Sequence, residues 1–185
     1  MVRPDSLSPW ADLVPQAQRG DREARTALYT AFARTVHAIA LAHVGARHAD
    51  DVTQEVFCSV FASLATLRDP AALPGFMCTT ARNAARDLLR RHRRTPPRVP
   101  ADDLTAAGPS PAVEAEQKEQ AERVLECMQA LPEAYRETLA LRLVGGLSGQ
   151  EIAERTGLTH GSVRVNLHRG VAMLRERLRE DPGHA

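Results

Sequence analysis

Aromatic side chains make up only 4% of this 185-residue chain, as one Trp, two Tyr and four Phe. Sheets draw heavily on aromatic and β-branched residues. Their scarcity, beside 43% hydrophobic content carried mostly by Leu, Val and Ala, favours helical cores. Lysine is nearly absent, Lys118 being the only one, and the formal net charge is +1. Attraction to nucleic acid therefore has to come from locally gathered arginines, not from a global positive field. Cysteine is limited to Cys58, Cys78 and Cys127. An odd number without a Cys-x-x-Cys pair argues against a disulfide framework or a zinc ribbon and suits reduced cytoplasmic thiols. No apolar run approaches the ~18 residues of a membrane helix. The N-terminal segment, with Arg3, Asp5 and Trp10, lacks the apolar centre of a secretory signal. A cytoplasmic protein with no membrane insertion is expected. A phosphate-binding glycine loop and a nucleophile elbow are also missing. His37 and His43 do not share a helical face, and His48 has no second ligand nearby in sequence. The expectation is a non-enzyme with no cofactor and no metal.

The breakers give the organisation. Pro96, Pro97, Pro100, Pro109 and Pro111, with Gly108, Asp102 and Asp103, crowd the stretch from Thr95 to Pro111, which carries no helical stripe and reads as a linker. Before it, periodicity and caps predict helices over about residues 8 to 18, 21 to 45, 48 to 66 and 74 to 94. After it they predict helices over about 113 to 130, 132 to 144, 148 to 156 and 160 to 179. No strand is evident. The fold class expected is all-α, two small helical domains spanning 1–95 and 113–185, joined by a flexible Pro-rich linker over 96–112.

The most specific segment runs from Leu147 to Arg164, two short helices about a glycine turn. Ser148 with Glu151 three residues on is a capping-box pattern, and Gly157 can take the left-handed conformation that ends a helix. Thr159 and Ser162 bring hydroxyls to the next helix entry. Val163, Leu167, Val171, Leu174 and Leu178 then form one apolar stripe. Ser162, Val165 and Arg169 lie farthest from it, with Gly161 and His168 beside them, so this half-helix can present small and polar groups to base edges. A helix-turn-helix is the implication; a plain helical hairpin packed on a core is the bland alternative.

Two further faces carry charge. Arg82, Arg86, Arg90 and Arg93 fall within roughly 80° of arc on one helix, opposite Met77, Ala81, Ala84 and Leu88. Arg91 and Arg94 extend the positive end. A run of arginines is often only a solvated face, but beside a DNA-reading motif such a ladder suits successive phosphates. An earlier helix sets Asp51, Gln54 and Glu55 on one side and Val52, Val56 and Val60 inward, an acidic surface suited to a basic protein, if it is more than solvation.

Ala49-Asp50-Asp51-Val52-Thr53-Gln54-Glu55-Val56-Phe57, then Leu73-Pro74-Gly75-Phe76-Met77-Cys78-Thr79-Thr80-Ala81-Arg82-Asn83, then Asp87-Leu88-Leu89-Arg90-Arg91, closely resemble region 2 of bacterial sigma factors. Leu131-Pro132-Glu133-Ala134-Tyr135-Arg136, followed by Gly146-Leu147-Ser148 and the helix-turn-helix, resembles region 4. Both regions in order with a short linker resemble the extracytoplasmic-function branch of that family. The resemblance implies a protein that binds core RNA polymerase, at the clamp helices of its largest subunit and at the flap region, and directs it to promoter DNA. It assigns Asp50, Asp51, Gln54 and Glu55 to polymerase docking. Leu67, Arg68, Asp69, Pro70 and Ala71 would capture a flipped minus-ten base, with Asn83 lining the pocket and Arg82, Arg86, Arg90 and Arg93 on the backbone. Gly161, Ser162, Arg164, Val165, His168 and Arg169 would read the minus-35 element. An anti-sigma factor is the other partner implied.

The sequence departs from the family at Phe76, where Trp is usual, at Thr80, where a large aliphatic is usual, and at Arg164-Val165-Asn166, where a polar, basic trio is common. Val165 cannot donate a hydrogen bond but can touch a thymine methyl, and Asn166 stands in place of a phosphate-binding cation. A dimeric helix-turn-helix regulator would leave the acidic helix and the arginine ladder without a task. A sigma-like decoy that only binds protein is the remaining alternative.

Overall fold

A computed structural model describes residues 10–94 and 111–180, which form eight α-helices with no strand among the described residues. The first half holds α1 (Leu13–Gln18), α2 (Arg22–Val44), α3 (Ala46–Ser63) and α4 (Leu73–Arg94). Two single-turn 3₁₀ segments, Leu64–Thr66 and Pro70–Ala72, connect α3 to α4. The second half holds α5 (Pro111–Gln129), α6 (Glu133–Leu143), α7 (Gly149–Thr156) and α8 (His160–Glu180).

α2 is the axis of the first half. Asp21 starts it by accepting from the backbone N–H groups of Glu23 and Ala24 at 2.8 and 3.2 Å, an N-cap that satisfies two otherwise orphaned donors. Leu28, Phe32, Val36 and Ile39 are buried one turn apart, and Val52, Val56 and Val60 of α3 and Met77 and Ala81 of α4 close over them. From Ala38 to His43 every residue of α2 is buried. A helix buried all round needs neighbours on every side. Here α3 and α4 cover part of it, and α6 and α5, from the second half, pack on it as well.

The expected elements are all present, with three differences. The 3₁₀ turn Pro70–Ala72 has no periodicity to announce it; Asp69 caps it through the Ala71 N–H at 2.9 Å. The fifth helix begins at Pro111, two residues before the expected start, because proline at the first helical position has no N–H to leave unpaired. The expected first helix ran from 8 to 18, but residues 10–12 form a turn and the helix starts at Leu13; residues 8 and 9, like residues 95–110, lie outside the described residues.

In the second half Ser148 and Glu151 form the capping box reciprocally: the Ser148 N–H donates to the Glu151 carboxylate at 2.8 Å and the Glu151 N–H donates to Ser148 Oγ at 3.2 Å. Gly157 ends α7 in the left-handed region at φ 75°, where only glycine avoids a Cβ penalty. The Ser162 N–H donates to Thr159 Oγ1 at 3.1 Å at the start of α8. Val163 and Leu174 are buried and Leu167, Val171 and Leu178 half-buried, so the stripe faces the core. α8 crosses α6 at Gly170, where an added Cβ would stand 3.0 Å from Leu139 Cδ1.

The halves share one core. Buried apolar residues form a single cluster from Val14 to Leu174, joined through α6 on α2, α7 on α4 and α5 on α2. Periodicity within each helix gives no sign of this docking.

Candidate nucleic-acid and polymerase interface

The acidic face of α3 is formed as expected. Asp50, Asp51, Gln54 and Glu55 are exposed, while Val52, Thr53, Val56 and Phe57 are buried. Thr53 turns its hydroxyl back onto the Ala49 carbonyl at 2.7 Å. Asp50 lies 3.2 Å from His37 Nδ1, and Glu55 lies 3.2 Å from Arg91 at the far end of α4. Both pairs are surface contacts of small energetic weight, so the carboxylates remain available to a partner.

The arginine ladder is not uniform. Arg90 and Arg93 are exposed, and Arg90 pairs with Asp87 one turn back on its own helix. Arg82 and Arg86 are engaged by the second half. Arg82 forks onto Glu137, Nε to Oε2 at 2.8 Å and Nη2 to Oε1 at 2.7 Å, and Arg86 reaches Glu133. The expectation that all the guanidiniums point away from the core is thus corrected at Arg82, which is half-buried between the buried Cys78 and Ala85. The physical reason is that α4 is sandwiched, with α2 and α3 on one side and α7 on another.

Glu137 is the electrostatic centre of this contact. Burial alone would raise its pKa, yet the hydrogen bonds from Arg82 and from His43, whose Nε2 lies 3.3 Å from Oε2, hold it down at about 2. The same bond to Glu137 raises the Arg82 pKa, against the opposing effect of burial. Both shifts favour the charged pair. His43 with the carboxylates of Glu133 and Glu137 offers ligand atoms within 4.8 Å of one another, but Arg82 already occupies both oxygens of Glu137 and sets a positive charge there. Nearby Cys78 is pushed up to about 11 by burial, so its thiol stays protonated and unreactive.

The loop assigned to base capture is anchored from below. The Gln18 side-chain amide donates to the carbonyls of Leu64 and Leu67 at 3.0 and 2.8 Å. Arg68, Asp69 and Ala71 are exposed and Leu67 and Pro70 half-exposed. Asn83 is exposed on α4, ten residues along the helix from Leu73. It lines a shallow groove with Arg86, Leu89, Arg90 and Arg93.

On α8, Gly161, Ser162, Arg164, Val165, His168 and Arg169 are all exposed, Val165 at 44%. Asn166 points elsewhere. Its amide is partly buried and donates to Thr138 Oγ1 of α6 at 3.4 Å. The departure from a basic residue at this position therefore helps join α8 to α6. Sequence reasoning missed His43, Glu133, Glu137 and Arg155. Arg155, on α7, donates to the Ala31 carbonyl at 2.9 Å and to Thr35 of α2, with its guanidinium 5.0 Å from the Phe32 ring centre. The one available signal was the repeat of Glu133 and Glu137 four residues apart, matching that of Arg82 and Arg86.

Residues 28–95 match the family model for sigma-70 region 2, and residues 121–174 that for sigma-70 region 4. The probable RNA polymerase sigma factor RfaY of Xanthomonas campestris pv. campestris is 38% identical over 171 residues, covering 89% of this chain and 43% of RfaY. The chain thus spans less than half the length of that relative. The RNA polymerase sigma factor CarQ of Myxococcus xanthus is 33% identical over 71% of this chain and 75% of its own. The ECF RNA polymerase sigma factor SigD of Mycobacterium tuberculosis is 34% identical over 90% of this chain and 82% of its own. The solved structure of CnrH in complex with the cytosolic domain of CnrY shares the fold, with a TM-score of 0.63 at 24% identity over 91% of this chain and 96% of that one. Two helical regions in this order, the second ending in a helix-turn-helix, define a bacterial transcription-initiation factor. The chain belongs to the sigma-70 family, in its extracytoplasmic-function branch of RNA polymerase sigma factors.

Proposed function

We propose that this sigma factor docks on core RNA polymerase through the α3 face of Asp50, Asp51, Gln54 and Glu55 and directs the enzyme to its promoters. In this reading the region 2 unit, 1–95, binds the clamp helices of the largest subunit and recognises and melts the minus-ten element. The region 4 unit, 113–185, approaches the flap region and reads the minus-35 element, and 96–112 links them. Leu67 to Ala71 receive the flipped base, whose extrusion costs a few kcal/mol of stacking that a preformed pocket offsets. Arg82, Arg86, Arg90 and Arg93 contact backbone phosphates. Gly161, Ser162, Arg164, Val165, His168 and Arg169 face the minus-35 bases and their phosphates. The protein acts in the cytoplasm and is not an enzyme; an anti-sigma factor is the further partner that family membership implies.

The observation that carries this reading is the segregation of charge: four exposed acidic or amide side chains on α3, exposed arginines on α4, and a polar exposed half-helix at the start of α8. A dimeric repressor has no use for the first of these. Replacing Asp51 and Glu55 with arginine should abolish co-elution with core polymerase while the far-ultraviolet circular dichroism stays that of the parent. A folded double variant that still forms holoenzyme would remove the α3 assignment.

A further inference from the structure

His48 stands in the first turn of α3 and His92 in the last turn of α4, and the packing of these helices brings the two imidazoles together. Their ring centres lie 4.8 Å apart with the planes at 61°. The Arg91–Glu55 pair at 3.2 Å ties the same end of α4 to α3. His48 is half-exposed and His92 exposed, and among the described residues no protein group is hydrogen-bonded to either ring. An edge-on contact between surface rings needs no histidine in particular. Two histidines add ring nitrogens, the commonest protein ligands of zinc and its first-row neighbours. An ion held about 2.0–2.1 Å from an imidazole nitrogen stands roughly 3.2 Å from the ring centre, so two rings on one tetrahedral ion have centres roughly 5 Å apart. The observed spacing is of that size.

Asp51 supplies a third group. It follows His48 by three residues, on the same face of α3, is exposed and, unlike Asp50 and Glu55, takes part in no ion pair among the described residues. Burial, His92 and Arg47 together lower the His48 pKa against the opposing charge of Asp51, so near pH 7 the ring is neutral, the form that binds metal. We propose that His48 and His92, joined by Asp51, form a site for a divalent first-row metal ion of the Zn²⁺ kind, and that the bound ion withdraws Asp51 from the polymerase-docking face. Two imidazoles and a carboxylate leave the fourth position to water. The ion also sets positive charge beside Gln54 and Glu55, where a basic partner surface would approach. Arg47 repels a cation here, so affinity in the micromolar range is expected. The control of docking rests on the assignment of Asp51 to polymerase; the metal site rests on the two histidines.

The test titrates Zn²⁺ alone into the full-length chain by calorimetry and follows the histidine Hε1 resonances by nuclear magnetic resonance. The parent should bind one ion with the His48 and His92 resonances moving together. His92→Gln, at an exposed position, should weaken that binding about tenfold or more and Asp51→Asn by a smaller factor, while His160→Gln, at the exposed start of α8, should leave it unchanged. Equal binding by the parent and His92→Gln, or movement of only one of the two resonances, overturns the site. Assembly with core polymerase is then measured with and without Zn²⁺. The ion should weaken assembly of the parent about tenfold and that of His92→Gln far less; polymerase meets the same zinc in both, so the difference belongs to this site. If zinc binds at the pair yet affects assembly of parent and variant alike, the ion does not withdraw Asp51 and the control of docking is overturned. If Asp51→Arg with Glu55→Arg still assembles, the docking assignment itself has failed and that control falls with it, a result the zinc titration by itself would not produce.

Discussion

Arg169 and Arg90 are both exposed arginines, and they differ in what stands around them. Arg169 shares an exposed face with Ser162, Val165 and His168 on the N-terminal half of α8, whereas Arg90 follows Asp87 on a helix whose neighbouring arginines form a row. A guanidinium reading a guanine edge discriminates by about 1–3 kcal/mol, while one on a phosphate carries no sequence information directly. Arg169→Ala is therefore expected to relax preference at one minus-35 position. Arg90→Ala is expected to weaken all promoters nearly equally and to lower the salt dependence by about one contact. Holoenzyme affinity for a panel of minus-35 variants at several salt concentrations separates the two. Equal weakening of every variant by Arg169→Ala would make it a backbone contact and leave specificity to Ser162, Val165, His168 or the shape of the DNA. Asn166 is not a candidate, because its amide is turned to Thr138.

At the scale of elements, α8 is held to α6 by close approach at Gly170. A Cβ there would lie 3.0 Å from Leu139 Cδ1 and 3.1 Å from Cγ, and Leu139 is fully buried with little room to give. Alanine gains about 1 kcal/mol of intrinsic helix propensity over glycine, but overpacking a tight contact costs about 1–3 kcal/mol. Gly170→Ala is expected to destabilise the chain by about 1 kcal/mol net, read as a lower urea midpoint; a higher midpoint would mean that Leu139 gives way to the added methyl. The sequence made the helices legible because each carries its own instructions: Asp21, Ser148 with Glu151, Gly157 and the stripe from Val163 to Leu178 act within a turn or two of where they stand. The site faces that follow from helical angle, Asp51 to Glu55 and Ser162 to Arg169, were legible for the same reason. Gly170 was not, since a glycine inside a regular stripe signals nothing until the facing Leu139 is known.

The docking of the two halves belongs to the whole molecule, and local pattern could not reveal it. Arg82 and Glu137 are 55 residues apart with the linker between them, and a carboxylate among the buried residues of α6 has no periodicity that names its partner. Its energetics nonetheless give a directional expectation. The Glu137 carboxyl falls from an ordinary 4.5 to about 2 in the folded chain, burial being outweighed by the bonds from Arg82 and His43. A carboxyl depressed by folding contributes stability that is complete above its unfolded pKa and is lost as pH falls through the folded value. The window is thus from about 4.5 down to about 2, and the stability at stake is on the order of 3 kcal/mol. Since the contact joins the halves, acid should part them before it melts the helices. Between pH 4.5 and pH 2 the parent chain is expected to expand in small-angle scattering while its helical circular dichroism persists. Glu137→Gln, having no such proton to take up, should show little of that expansion. Parallel expansion of parent and variant across this range would assign the acid response to other carboxylates and leave Glu137 without a part in holding the molecule closed.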